Sequence, residues 1–201
     1  MSTNWRSKFL NVSWSDFCTQ AFVLSKQIRV SSRPLDLIVA IARGGLTLSQ
    51  LLSDSLSLPI ATFTIQSYKD LRQQTLPQIT FGVGTTTLEG KRVLLVDDVC
   101  DTGKTFERAL VYVSELGAEK EQITTAALHY KPHAIYKPDF FVTKTDKWVI
   151  YPYEVWETIA QLSKLWKADK ISAEEINARF LAFGFLQEQL TQFYPAASYD
   201  R

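Results

Sequence analysis

An α/β fold, with a central, mainly parallel sheet flanked by helices, is what this sequence predicts, and three observations predict it. Residues 35–42 (Leu-Asp-Leu-Ile-Val-Ala-Ile-Ala) and 93–96 (Val-Leu-Leu-Val) are short apolar runs without the strict alternation of a one-sided strand, the pattern of strands buried on both faces. Each run passes at once into a small-residue loop and then a stretch with apolar residues at helical spacing, so a unit of strand, glycine loop and helix occurs twice. With 201 residues, 46% hydrophobic and 21% charged, the chain can bury a proper core as one domain with an appendage.

The elements follow in order. Ser13 with Asp16 three residues on reads as a capping box, and Trp14, Phe17, Cys18, Ala21, Leu24, Ser25 and Ile28 make one stripe, which predicts a helix covering the sheet. Pro34 ends the connection to strand 35–42, and Arg43-Gly44-Gly45 leads into a helix over 46–56. Residues 59–66 form another strand. The pattern then dissolves over 67–90, with at most a short hairpin near 78–83; a connection of that length is either a functional lid or disordered. Strand 93–96 is followed by a helix carrying Phe106, Ala109, Leu110, Val113 and Leu116 on one face, and then by a strand over 122–129. Residues 137–142 and 147–154 are two short strands about a Thr-Lys-Thr-Asp turn, forming a small hood over about 130–154. From Val155 the chain is helical: Trp156, Ile159, Ala160, Leu162 and Trp166 share a stripe, Ser172 and Glu175 make a second capping box, and Gly184 breaks the pattern before a last segment over 185–193. The expected division is a core with hood over 1–157 and a helical C-terminal extension over 158–201, whose stripes need a partner surface in the domain itself or in a second subunit.

Composition removes several function classes. A net charge of +1, a pI near 7.7 and no run of Lys and Arg argue against a nucleic-acid or membrane surface. Cys18 and Cys100 make neither metal spacing nor a disulfide framework, and read as reduced thiols. Residues 1–10 lack the apolar core of a signal peptide, and no later run approaches about 18 consecutive apolar residues, so a soluble, cytoplasmic protein is expected.

The chemistry concentrates in Val93-Leu94-Leu95-Val96-Asp97-Asp98-Val99-Cys100-Asp101-Thr102-Gly103-Lys104-Thr105. A buried strand that switches abruptly to carboxylates is surfacing, and the following loop opens a helix, where backbone N–H groups and the positive end of the helix dipole attract an anion. Thr102, Gly103, Lys104 and Thr105 suit a phosphate, with glycine letting the backbone close in. Asp97 and Asp98 have the wrong sign for a phosphate and suit hydroxyl groups, or a hard cation held partly through water. A ribose phosphate carries both features. Any four-residue piece of the motif would instead read as an ordinary helix cap by Asp101 or Thr102. Arg43, Gly44 and Gly45 form a second anion loop, for which a diphosphate is the sensible tenant.

These residues resemble the signature of the type I phosphoribosyltransferases, which bind 5-phosphoribosyl-1-diphosphate (PRPP), and in detail the branch acting on 6-oxopurines. The resemblance implies that Asp97 and Asp98 contact the ribose hydroxyls and a Mg2+ ion, partly through water. It implies that residues from Asp101 to Thr105 hold the 5-phosphate, and that Asp101 exchanges a proton with the purine five-membered ring. It implies that Ala42, Arg43, Gly44 and Gly45 form the diphosphate loop, with a non-trans peptide bond before the glycines. Ser67 and Tyr68 match the start of a mobile loop that closes over the reacting centre. Lys131, after the strand over 122–129, would hold the exocyclic oxygen of the base. Lys-Pro-Asp and then Asp-Lys-Trp-Val match the purine-covering hood, placing Trp148 for stacking and the Val149 backbone for hydrogen bonds to the base edge. Glu154 either joins the site or caps the next helix. His129 and His133 read as structural or surface residues.

The activity so implied is purine salvage: transfer of the 5-phosphoribosyl group from PRPP to hypoxanthine, guanine or xanthine, giving the nucleoside 5′-monophosphate and diphosphate in a Mg-dependent homo-oligomer. The alternative is a regulator on the same fold that senses PRPP or nucleotide and binds nucleic acid, against which stand Asp101 and the weak basic character.

Overall fold

The computed structural model describes residues 5–66, 69–70, 73–74, 77–84 and 87–197. Its contacts divide the chain into two compact units, Cys18–Asp146 and a second made of Met1–Phe17 with Lys147–Arg201. The sequence suggests a core with hood over 1–157 and an extension over 158–201; the contacts group residues from Lys147 onward with the N-terminal segment. The predicted hood is thereby split, with residues up to Asp146 in the sheet unit and those from Lys147 in the other.

The strands are β1 (Phe9–Asn11), β2 (Leu37–Ala42), β3 (Ile60–Gln66), β4 (Lys69–Asp70), β5 (Gln73–Gln74), β6 (Gln78–Phe81), β7 (Val93–Val96), β8 (Val99–Cys100), β9 (Ile123–Tyr130), β10 (Phe140–Lys144) and β11 (Trp148–Ile150). The helices are α1 (Trp14–Val30), α2 (Gly44–Leu56), α3 (Lys104–Glu115), α4 (Val155–Ala168), α5 (Ala173–Ala182) and α6 (Gln187–Ala197).

The unit Cys18–Asp146 is built on a sheet in the order β10-β9-β7-β2-β3-β6, parallel except for β6, with β8 also paired to β9. All four residues of β7 are buried, as are Ile38, Val39, Ala40 and Ile41 of β2, which is why these two strands read as unbroken apolar runs; Ile123 to His129 of β9 are buried as well, Thr124, Thr125 and His129 among them. The core joins Val39, Ile41, Phe63, Val93 and Leu95 to Phe106, Ala109 and Val113, the inward stripe of α3. In α1, Ala21, Leu24, Ser25 and Ile28 are buried as the period requires, but Trp14 and Cys18 are exposed and leave the predicted stripe. The predicted hairpin near 78–83 is instead strand β6, antiparallel to β3 in the main sheet. Likewise β10 does not pair with β11: it lies parallel to β9 at the sheet edge, and Thr143 and Lys144 of the expected turn are strand residues in register with His129 and Tyr130.

In the other unit β1 and β11 form a parallel pair, with Phe9 opposite Trp148 and Leu10 opposite Val149. The C-terminal helices find their partner surface within this unit: Ile159, Leu162, Trp166, Ile176, Phe180 and Leu190 bury against Phe9 and Ile150. The first predicted capping box forms in both directions, Asp16 N donating to Ser13 Oγ at 3.1 Å and Ser13 N to Asp16 Oδ2 at 3.2 Å, and at the second Glu175 N donates to Ser172 Oγ at 3.2 Å while Glu175 Oε1 accepts from Arg179 Nε at 3.0 Å. Asn11 Nδ2 donates to Phe183 O at 2.7 Å and Arg6 to Ala182 O at 3.0 Å, satisfying carbonyls at the end of α5. Among the described residues no helix is long and apolar enough to cross a membrane.

Candidate active site

Because β2 and β7 are parallel neighbours, with Ala40 opposite Val96, their loops leave the sheet side by side. The glycines of the first loop are there to let the second come close. A Cβ on Gly45 would lie 2.3 Å from the Val96 carbonyl oxygen, and one on Gly44 would lie 2.5 Å from Asp98 Oδ1. The Asp98 carboxylate thus rests on bare backbone at the start of α2. The peptide bond between Ala42 and Arg43 is cis. Arg43 occupies the N-cap position of α2 without a side-chain capping bond, so the first turn presents backbone N–H groups at this edge.

The second loop is stitched to β9. Asp97 N donates to Ala126 O at 3.2 Å, Asp98 O accepts from Leu128 N at 3.0 Å and His129 N at 3.1 Å, and Cys100 O accepts from Lys131 N at 2.9 Å. Asp97 and Asp98 are both buried, and Asp97 Oδ1 accepts the Asp98 amide at 3.0 Å, turning one carboxylate oxygen back on its own chain. Burial, with Asp97 and Asp101 nearby, pushes the Cys100 thiol up to about 12, so it is an inert neutral group.

Beyond it Asp101 is exposed, and Thr102 to Thr105 open α3. Gly103 is the N-cap of α3 with φ +86°, and a Cβ on it would lie 2.6 Å from Tyr136 N. Glycine is required here twice over, by conformation and by space. Ile135 N donates to Thr102 O at 2.9 Å, fixing the loop to the chain after β9. Lys131, read as a strand-end lysine, lies one residue beyond β9 and is buried; desolvation lowers its pKa, opposed by the carboxylates of Asp101 and Asp146.

The sequence-predicted residues Ala42, Arg43, Gly44, Gly45, Asp97, Asp98, Asp101, Thr102, Gly103, Lys104, Thr105 and Lys131 therefore lie at one edge of one sheet. Ser67 and Tyr68 lie outside the described residues. Trp148, exposed, and Val149, half-buried, belong to the other unit. Glu154 is the N-cap residue of α4 and makes no side-chain capping bond.

Two features escaped sequence reading. Asp139 of the Lys-Pro-Asp segment is a staple for the sheet: its Oδ2 accepts from Thr125 N at 2.9 Å and Thr125 Oγ1 at 2.8 Å, and Arg33 Nη1 donates to its Oδ1 at 3.1 Å. Burial raises its pKa, and these bonds outweigh that, holding the carboxyl below its usual range. His133, classed as structural or surface, faces Asp101. A spacing search could not find it, because the contact joins two loops. His129 is buried, and desolvation followed by the Lys131 charge pushes it down to about 4.

Two carboxylates fit a Mg2+ ion, which keeps several waters and takes further oxygens from substrate phosphates rather than from an all-protein cage. Among the described residues no group of three or more His, Cys, Asp or Glu makes such a cage.

Comparison with known proteins bears on this arrangement. The model of the phosphoribosyl transferase domain matches residues 23–158. The chain is similar to a purine phosphoribosyltransferase from Pyrococcus horikoshii, with 35% identity, a TM-score of 0.65, and 73% of this chain and 94% of that one covered. It is similar to a hypothetical protein from Neisseria gonorrhoeae with bound ppGpp, at 25% identity and a TM-score of 0.61, covering 73% of this chain and 89% of that one. The fold is also shared with the Helicobacter pylori xanthine-guanine-hypoxanthine phosphoribosyltransferase, at 22% identity and a TM-score of 0.60, covering 79% and 97%. Two glycine loops meeting at the tips of neighbouring parallel strands, in a chain matched over this length, place it in the phosphoribosyltransferase family.

Proposed function

We propose that this protein is a purine salvage enzyme that transfers the 5-phosphoribosyl group of PRPP to a 6-oxopurine. The observation that carries the reading is the mutual seating of the two loops, with the Asp98 carboxylate against Gly44 and Gly45 against the Val96 carbonyl. One loop is then suited to diphosphate, through Arg43 and the first amides of α2, while its neighbour offers carboxylates to the ribose hydroxyls and Thr102 to Thr105 to the 5-phosphate. The 35% identity with the Pyrococcus purine phosphoribosyltransferase supports the choice of a purine.

In the reaction, the bond from the anomeric carbon to diphosphate breaks with its electron pair leaving on the diphosphate, and a ring nitrogen of the base forms the new bond. The sugar carries positive charge at the transition state, so catalysis is placement and stabilisation of the leaving group. Mg2+ held at Asp97 and Asp98 would supply charge neutralisation to the departing diphosphate. Arg43 and the Gly44 and Gly45 amides orient that group. Asp101 accepts the proton released by the five-membered ring, and Lys131 donates to the exocyclic oxygen, which is why a 6-oxopurine is preferred to adenine. The roles of Trp148 and Val149 in holding the base, and of Ser67 and Tyr68 in excluding water, rest on the sequence resemblance.

The test is diphosphate release with hypoxanthine, guanine, xanthine and adenine compared side by side. At least one 6-oxopurine should exceed adenine in kcat/KM by about a hundredfold or more, and Asp101→Asn should lower kcat by about a hundredfold while PRPP affinity holds. PRPP binding with no turnover on any base would overturn this reading in favour of a nucleotide-sensing regulator.

A further inference from the structure

The end of β9 gathers four charged or titratable side chains, and the backbone explains why. Asp101 follows Cys100, whose carbonyl is bonded to Lys131 N at 2.9 Å. His133 rides on a turn closed by Ala134 N donating to Lys131 O at 3.0 Å, and that turn is tied to the phosphate loop through Ile135 N and Thr102 O at 2.9 Å. Asp146 follows Thr145, whose amide donates to Tyr130 O at 3.0 Å. The segments are therefore pinned to Tyr130, the last residue of β9, and to Lys131 just beyond it, and their side chains converge. The imidazole of His133 ends up between two carboxylates, Nε2 at 3.6 Å from Asp101 Oδ1 and Nδ1 at 3.9 Å from Asp146 Oδ1. On its own turn, Lys131 shares both carboxylates with it.

We infer that His133 is a positioning residue for the transfer reaction, its ring oriented by Asp146 and its charge setting how readily the Asp101 carboxylate accepts the purine proton. The inference rests on the assignment of Asp101 as proton acceptor under the proposed function. As the purine nitrogen bonds to the anomeric carbon and diphosphate leaves with its electron pair, the N–H proton of the five-membered ring passes to a carboxylate oxygen of Asp101. An imidazolium beside Oδ1 stabilises the carboxylate anion and so weakens its pull on that proton. A neutral imidazole leaves the pull intact. At these separations the ring acts through its field and its orientation rather than by a short hydrogen bond. The charged groups set around it are Asp101 from the phosphate loop, Asp146 from the segment after β10, and Lys131 at the end of β9.

The experiment measures kcat and the KM for PRPP of the full chain between about pH 5 and 8, for the wild type, His133→Gln, His133→Lys and Asp101→Asn. His133 is exposed, so the substitutions test charge rather than packing. The wild-type kcat should rise about two- to fivefold with pH, the scale on which an exposed ion pair acts. The Gln variant should hold the higher rate throughout, the Lys variant the lower one, and the KM for PRPP should stay put in both. A flat wild-type profile overturns the inference, as do His133 variants that keep the wild-type slope or lose rate equally. If Asp101→Asn collapses kcat while the His133 variants behave as wild type, the inference fails alone. If Asp101→Asn leaves kcat unchanged, the assignment of Asp101 fails first.

Discussion

The two ends of the β2–β7 strand pair both carry aspartates, and they are used in opposite ways. Before the strands, Asp36 N donates to Arg92 O at 2.8 Å, and the Arg92 guanidinium clasps both carboxylate oxygens of Asp36, Nε to Oδ2 at 2.8 Å and Nη2 to Oδ1 at 2.5 Å. That arginine holds Asp36 well below the usual carboxylate range. After the strands, Asp97 and Asp98 are buried and lie close against backbone: Asp97 Oδ1 accepts the Asp98 amide, and the Asp98 carboxylate sits where a Cβ on Gly44 would be. The neighbour decides the role. A long cationic side chain across from an aspartate turns it into a latch, whereas a glycine beside it lets two loops close on each other.

The largest effect should come from putting a methyl group where the site end tolerates none. Gly45→Ala places a Cβ 2.3 Å from a β-strand carbonyl, which cannot swing aside as a side chain would. A loss of about 3 kcal/mol is expected, seen as a fall in Tm of roughly 6–12 °C. Gly44→Ala adds a methyl whose three nearest atoms all belong to the Asp98 carboxylate, the end of a side chain. It should cost about 1 kcal/mol or less in stability but weaken PRPP binding by about tenfold, read by calorimetry, because Asp98 must leave its seat. Equal Tm losses for the two variants, or undiminished PRPP binding by Gly44→Ala, would break the contrast between backbone and side-chain neighbours.

What the sequence revealed follows the same division. Strands β2 and β7 were legible because burial on both faces leaves apolar runs, and the two loops because close backbone approach leaves glycines, so the fold class, and the meeting of the two loops that make up the candidate site, could be read locally. The partners of β10 and β11 could not. Each is a short strand of mixed composition whose pairing is set by a distant segment: β11 by Phe9–Asn11 near the N-terminus, β10 by the last residues of β9. Trp14 and Cys18 fit the helical period of α1 and are nevertheless exposed, since periodicity reports a face and not how far cover extends along it. Asp139 looked like part of a ligand motif and is a staple on Thr125; His133 looked like a turn residue and faces Asp101. In each case the deciding contact joins residues whose spacing carries no period.

The smallest effect belongs to the other end of the pair. Asp36→Asn removes the charge clasped by Arg92 but leaves the backbone bridge in place, and both side chains are partly exposed, so Tm should fall by roughly one or two degrees. The folded-state pKa of Asp36 is depressed, so its contribution is present at neutral pH, above the unfolded-state value of about 4, and fades as acid brings the carboxylate toward its folded-state pKa. Denaturation of wild type and variant at pH 7 and pH 3 should therefore show a gap that narrows at the lower pH, and narrows also in about 1 M salt. Kinetic constants for PRPP should not move. A change in them would mean that the clasp at the start of the strands helps set the loops at their far end, and that the two ends are one device rather than two.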